Sequence, residues 1–434
     1  MSGELEYDEL PIGWASAGLG DLIKLKYGKA LPDRVRSGSG FPVFGSNGVV
    51  GYHNESLTDG ETIIVGRKGS VGEVHYCASA CSPIDTTYFV DEFHGQPVKY
   101  WFRFLQSLEL GSLNRATAIP GLNREDAYRV SIKLPPLAEQ KRIADKLEAV
   151  LGRVDACRTR LDRVPDLLKR FRQSVLAAAT SGRLTEDWRE GGSTLGWQML
   201  KVSDVGSVQL GRQRAPKYHH GENMRPYLRV QNVFEARLDL SDVMEMEFSE
   251  ADFKRYKLSY GDILLNEGQS PQYLGRPAMY RDDLPGACFT NSLIRFRAKL
   301  EILNREYALL VFRHYMRSGR FAKEGSITTN IAHLSAGKFA NIEFLLPPLS
   351  EQDEIVRRVE ALFAFADQIE ARLTQTRAKV ERLTPATLAK AFRGELVPQD
   401  PQDEPASALV KCIADARNGL SHRTKPRNMG HKQL

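Results

Sequence analysis

LPPLAEQKRIADKLEAVLGRVDA, residues 134–156, is written again as LPPLSEQDEIVRRVEALFAFADQ at residues 346–368, 212 positions on. The offset holds without a gap to Leu184 and Leu396. Leu134, Pro135, Pro136, Leu137, Glu139, Gln140, Ile143, Glu148, Asp155, Leu176, Ala179 and Gly182 all find the identical residue in the second copy. Solenoid repeats have periods of about 20–50 residues. A period of 212 residues is instead a duplicated module, and it implies a pseudo-symmetric molecule.

Each copy reads as a long helix. Pro136 or Pro348 starts it with a Glu-Gln pair in the first turn, and Gly182 or Gly394 stops it. The apolar positions are Ile143, Leu147, Val150, Val154, Cys157, Leu161, Val164, Leu168, Phe171 and Val175, spaced alternately four and three. The second copy gives Ile355, Val359, Leu362, Ala366, Ile369, Leu373, Thr376, Val380, Leu383 and Thr387 in the same alternation. A sustained 3.5-residue period is the mark of a coiled-coil seam. Two matching seams in one chain are each other's obvious partner. The pairing residues are therefore expected to be Ile143, Leu147, Val150, Val154, Leu161 and Leu168 against Ile355, Val359, Leu362, Ile369, Leu373 and Val380. Pro165 is expected to kink or break the first helix, and Thr384-Pro385 to cap and open a separate short one.

The segments between the helices also match. Gly13-Trp14 aligns with Gly196-Trp197, Asp21 with Asp204 and Gly28 with Gly211. DGETIIVGRKGSVGEVHY and YGDILLNEGQSPQYLGRPAMY share a turn, a short apolar strand and a glycine-rich polar loop. The expected fold is α+β: two strand-rich mixed globular domains and two long antiparallel coiled-coil helices in a pseudo-twofold duplication. The expected boundaries are 1–133 and 186–345 for the globular domains, 134–185 and 346–397 for the helical regions, and 398–434 for a basic, disordered tail.

Bulk properties narrow the classes. The chain has 434 residues, 42% hydrophobic and 26% charged, with a net charge of +6, which permits a nucleic-acid partner without requiring one. It has no N-terminal charged-then-apolar signal and no run of about 18 apolar residues, so the expected location is the cytoplasm, away from membranes. Five scattered cysteines do not make a disulfide framework, and Cys77 and Cys81 read as packing thiols. His219-His220 has no further ligand at metal spacing. There is no G-x-x-x-x-G-K-[ST] loop, no Asn/Asp-Pro-Pro-Tyr tetrapeptide and no nucleophile–base constellation. Binding without chemistry is the expectation.

At this point the residues resemble a known family. Two LPPL-x-EQ helices ending in AAATSGRL and AKAFRGEL, each preceded by a strand-rich domain, look like the specificity subunit of type I restriction-modification enzymes. IIVGRKGSVG and AIPGLNRED are typical of its recognition domains. The resemblance covers roughly 5–397. It implies that each globular part is a target-recognition domain for one half of a split double-stranded DNA site. It also implies that the helices set the unread spacer and dock two methyltransferase (modification) subunits, with two restriction/translocase subunits joining in the full enzyme. No cofactor is implied for this chain. S-adenosylmethionine, ATP and Mg2+ belong to the partner subunits.

Base reading needs edge donors and acceptors plus phosphate anchors on loops. The candidates in the first domain are Ser46, Asn47, Arg67, Lys68, Ser70, Asn114, Arg115 and Thr117. In the second they are Arg212, Arg214, Lys217, Tyr218, Arg225, Arg229, Gln231 and Asn232, with Gln269, Arg276, Thr329 and Asn330 after them. Residues 139–183 hold eleven basic and six acidic side chains, against eight of each at 351–395, which favours phosphates or an acidic partner along the first helix. Two other readings stay open on the residues alone: a coiled-coil adaptor that binds proteins, and an orphan, methylation-only specificity subunit. A nuclease with an unrecognised site is a third.

Overall fold

The computed structural model describes residues 10–113, 121–189, 194, 196–328 and 331–423. Two apolar strands organise it, Thr62–Gly66 (TIIVG) and Ile263–Asn266 (ILLN), both buried over their whole length. A strand covered on both faces reads as a continuous apolar run rather than an alternation.

Around Thr62–Gly66 lies an antiparallel sheet in the order Lys26–Tyr27, Thr87–Val90, Thr62–Gly66, Val74–Cys77. Around Ile263–Asn266 the order is Gly206–Leu210, Leu293–Ala298, Ile263–Asn266, Pro277–Met279. Each has a three-stranded companion with one antiparallel and one parallel neighbour. Phe41–Gly45 lies between Gly48–His53 and Ser82–Pro83, and Met224–Leu228 lies between Met244–Glu247 and Cys288–Phe289. Two sheets repeated in the same order and sense are the duplication seen at the level of hydrogen bonds.

Each globular part closes with a two-stranded ribbon that feeds its helix. Ser131–Leu134 pairs with Ala15–Gly18, and Glu343–Leu346 pairs with Gln198–Lys201. Both then pass through two prolines into 44-residue helices, Leu137–Thr180 and Leu349–Phe392, in register with the 212-residue offset. Gly182 and Gly394 terminate them at φ +80°, a left-handed conformation that glycine adopts without strain.

The helices run on through both prolines: Pro165 does not break the first, and Pro385 does not open a separate short helix. A helical proline frees the carbonyl four residues back. For Pro165 that is Leu161, whose oxygen accepts a bond from the Arg377 Nη2 at 3.2 Å. The opposing helix thus supplies the donor that proline lacks.

The tail differs from expectation over its described part, residues 424–434 lying outside the described residues. Ala406–Arg423 is a helix, with Ala406 and Ile413 buried and Leu409 and Val410 packed on the same core. Positions i, i+3, i+4 and i+7 make a helical stripe, which the basic charge further along obscured.

The chain forms two compact units, Met1–Leu161 with Gln375–Leu434, and Asp162–Thr374. The long helices run antiparallel in each. In the first unit Arg158 pairs with Glu381 at 2.9 Å. In the second Arg172 pairs with Asp367 at 2.6 Å and Glu370 at 2.8 Å. The apolar seam divides its work. Ile143 and Leu147 are fully buried in the core of the first unit, and Ile355 and Val359 in that of the second. These four hold each helix start to its own globular part, while Val154, Leu168, Leu373 and Val380 continue the buried face toward the helix middles.

The repeated Glu-Gln is a buried anchor. Trp14 Nε1 donates to Glu139 Oε2 at 3.0 Å, and Trp197 Nε1 to Glu351 Oε2 at 2.8 Å. Gln140 and Gln352 donate back to the carbonyls of Pro135 and Pro347 at 3.1 and 2.8 Å. The copies then diverge. Glu351 Oε1 also receives Thr185 Oγ1 at 2.7 Å and Arg189 Nη1 at 2.5 Å. Glu139 Oε1 has no partner among the described residues, since Val397 and Pro401 stand at the matching positions. Burial accordingly raises the Glu139 pKa above its ordinary value, partly offset by the Trp14 bond.

Candidate nucleic-acid interface

In the first unit, Ser46 and Asn47 form the two-residue turn between Phe41–Gly45 and Gly48–His53. Gly48 permits the turn with φ +109°. Beside it lies the loop that follows Thr62–Gly66: a Cβ on Gly69 would sit 3.1 Å from Ser46 Oγ. Turn and loop therefore bring Ser46, Asn47, Arg67, Lys68 and Ser70 together. The Arg67 guanidinium lies 5.1 Å from the Tyr27 ring and 5.9 Å from Tyr88, and Arg124 lies 5.2 Å from Tyr27. Tyr27 is half exposed between these two cations. Cations interleaved with rings suit phosphates and unstacked or edge-presented bases. Asn114, Arg115 and Thr117 lie outside the described residues, as do Thr329 and Asn330.

In the second unit, Arg214, Lys217 and Arg225 are exposed. They lie over Tyr227, Tyr218 and Phe253 at 5.5, 5.0 and 4.6 Å. Other candidates have intramolecular work. Arg212 is buried, 4.0 Å from the Tyr218 ring, paired with Asp252 at 3.1 Å and bonded to the Glu247 carbonyl. It is a post inside the loop, and its guanidinium does not face solvent. Asn232 is buried and donates to the carbonyls of Asp239 and Asp242 at 2.9 and 2.8 Å. Arg229 and Gln231 both donate to Asp242 Oδ2 at 2.6 Å. These three shape the segment 229–242. Gln269 lies on a short strand paired with Ala332, its Oε1 accepting from the Ser270 N–H at 3.1 Å.

Arg276 belongs to a feature that sequence reasoning did not assemble. A pocket of about 430 Å³ in the second unit is lined by Lys169, Arg172, Arg237, Arg276, Arg313 and Arg317, with Phe234, Tyr273 and one carboxylate, Glu235. Arg237 and Arg276 both lie over Phe234, at 4.8 and 4.5 Å. Glu235 pairs with Arg313 at 3.2 Å and with Arg317. Burial lowers the pKa of Arg276 and of Arg313, and for Arg313 the neighbouring Arg317 and Arg172 add to the effect. Arg172 is also paired with Asp367 and Glu370, so the surplus positive charge of this partly desolvated concavity rests chiefly on Lys169, Arg237 and Arg276. The first unit builds the same junction without these cations. Glu381 and Thr384 match Lys169 and Arg172, and Gln106 and Leu110 match Arg313 and Arg317. The fold therefore does not need them. The only hint in sequence was the basic surplus of the first long helix.

Among the described residues no group of three or more His, Cys, Asp or Glu could hold a metal ion, and no helix is long and apolar enough to cross a membrane. Cys77 and Cys81 are free and buried against Phe44 and Ile64, and burial pushes the Cys81 thiol up to about 11.

The duplicated sheets, anchored long helices and paired cationic loops define a protein of two like recognition modules. The family model described as "Type I restriction modification DNA specificity domain" matches residues 11–165 and 195–377, so the chain belongs to that family. It is 34% identical over 321 residues to the type I restriction enzyme EcoKI specificity subunit of Escherichia coli (strain K12), covering 71% of this chain and 68% of that one. It is 27% identical over 437 residues to the EcoDI specificity subunit of Escherichia coli, covering 94% and 96%. In fold it is similar to the HsdS subunit from Thermoanaerobacter tengcongensis, with a TM-score of 0.60 at 19% identity over 91% of this chain and 99% of that one.

Proposed function

We propose that the chain is the non-catalytic, sequence-reading subunit of a type I restriction-modification complex. Each globular part reads one half of an asymmetric, bipartite duplex site. The observation that carries this reading is the pair of cation–aromatic loop clusters, Arg67/Tyr27/Arg124 and Arg214/Lys217/Arg225, on twice-repeated sheets within a family of DNA specificity domains. Exposed guanidinium and ammonium groups anchor phosphates, and serine, asparagine and glutamine beside them offer base-edge bonds. The long helices are the spacer and the docking surface for two modification subunits. Those partners bring S-adenosylmethionine, and the nuclease/translocase brings ATP and Mg2+. The chain works in the cytoplasm, where the DNA is.

The test is genome-wide mapping of methylated bases with and without this gene. Loss of one split motif with a fixed gap is the expected result. An unchanged methylation pattern in cells expressing an active partner methyltransferase refutes the reading.

A further inference from the structure

The duplication lets one half of the molecule show what is missing from the other. The last turns of the two long helices match at Leu176 and Leu388 and at Ala179 and Ala391, all buried. At the next position they part. Phe392 packs its ring 5.8 Å from Tyr100 and 5.0 Å from Phe104 in the first unit. In the second unit that position is Thr180, whose hydroxyl turns back to the Leu176 carbonyl at 2.9 Å. The counterparts of Tyr100 and Phe104 are Tyr307 and Val311. Two rings have been lost from this place and one gained, Tyr315 standing where the first unit has Leu108, and a pocket of about 270 Å³ lies there, lined by Tyr307, Val311, Tyr315 and Leu345. A cavity of roughly 150 Å³ already accepts benzene.

The mouth has changed as well. Met199, 61% exposed, stands where the first unit has the exposed Ser16. Around it are His314, Arg320 and Glu343. A pit floored by Val311 and two tyrosine rings, with a flexible thioether at its edge and a polar rim, has the anatomy of a protein–protein anchor point.

We infer that this pocket is a socket for one aromatic side chain of a modification subunit, seated as Phe392 is seated in the first unit. The inference rests on the reading above, that the helices dock modification subunits. Phe392 gives the occupant its size and apolar character. The end of the first long helix, which forms one wall, makes the socket continuous with that docking surface. The two docking sites of the chain are then unequal, because only the second unit has the socket.

The test uses the full chain with its modification subunit. Thr180→Phe fills the socket from within. It is expected to leave the melting temperature equal or higher, to weaken one of the two subunit sites at least tenfold and to spare the other. Met199→Ser is expected to weaken the same site severalfold. A benzophenone side chain at position 199 is expected to cross-link to the modification subunit. Two sites of wild-type affinity in a folded Thr180→Phe chain overturn the inference. If that variant misfolds, an unchanged Met199→Ser affinity without cross-linking overturns it. A wild-type chain that binds no modification subunit refutes the underlying reading instead.

Discussion

Glu139 and Glu351 occupy the same place in the two repeats, yet the same substitution should have opposite consequences. Arg189 and Glu351 are both buried, and removing one member of such a pair strands the other charge. Glu351→Gln should therefore destabilise the second unit by about 3 kcal/mol. Glu139 holds no cation, and a glutamine oxygen still accepts from Trp14, so Glu139→Gln should be neutral or stabilising at neutral pH in thermal unfolding. The pH dependence has a definite sign. Because the folded pKa is raised, stability from Glu139 is present below the ordinary carboxylate value and is lost as the pH rises through the folded value. The Gln variant should lack that component, and a difference curve against wild type reads it. The cation pocket gives a second prediction at this scale. Lys169 and Arg237 make no ion pair among the described residues, so replacing both with Gln leaves no carboxylate stranded. If they contact phosphates, the slope of log K against log salt should shrink by about 2 with the sequence preference unchanged. An unaltered slope would exclude the pocket from the DNA interface.

Among the elements, the long helices were readable from the 3.5-residue period and the flanking proline and glycine. Their bounds in the structure follow those signals. That the first helix runs on past Pro165 was not legible, because the donor that satisfies the Leu161 carbonyl lies more than two hundred residues away, at Arg377, where no local rule can look. That coupling is measurable. Arg377→Ala should cost about 1 kcal/mol in the native sequence and less after Pro165→Ala, which returns a backbone donor to Leu161. Equal losses in both backgrounds would mean that Arg377 contributes elsewhere. The Glu-Gln pair was legible as a helix start but not as a buried anchor, since its partners Trp14 and Trp197 precede it by about 125 and 154 residues. The cation pocket was illegible for the same reason: it gathers residues from 169 to 317, with no motif in any one segment. Arg212 and Asn232 looked like readers because sequence shows charge and polarity without showing Asp252 or the carbonyls that claim them.

For the molecule as a whole, the proposed spacer role makes the helix length a setting. Deleting one heptad from the middle of both long helices removes about 10 Å. Methylation mapping should then find both half-sites unchanged with a gap shorter by about three base pairs. A changed half-site would refute the spacer role. The division into compact units has a consequence in time. Asp162–Thr374 is a continuous stretch, whereas the first unit needs both Met1–Leu161 and Gln375–Leu434. Synthesis runs from the N-terminus, and domains fold as their chain becomes available. The second unit can therefore be complete while the first, although made earlier, still waits for Leu388, Ala391 and Phe392 to cover its core. The part of the protein that leaves the ribosome first is the last to finish folding, and a chain cut short after the second unit would leave the first one open.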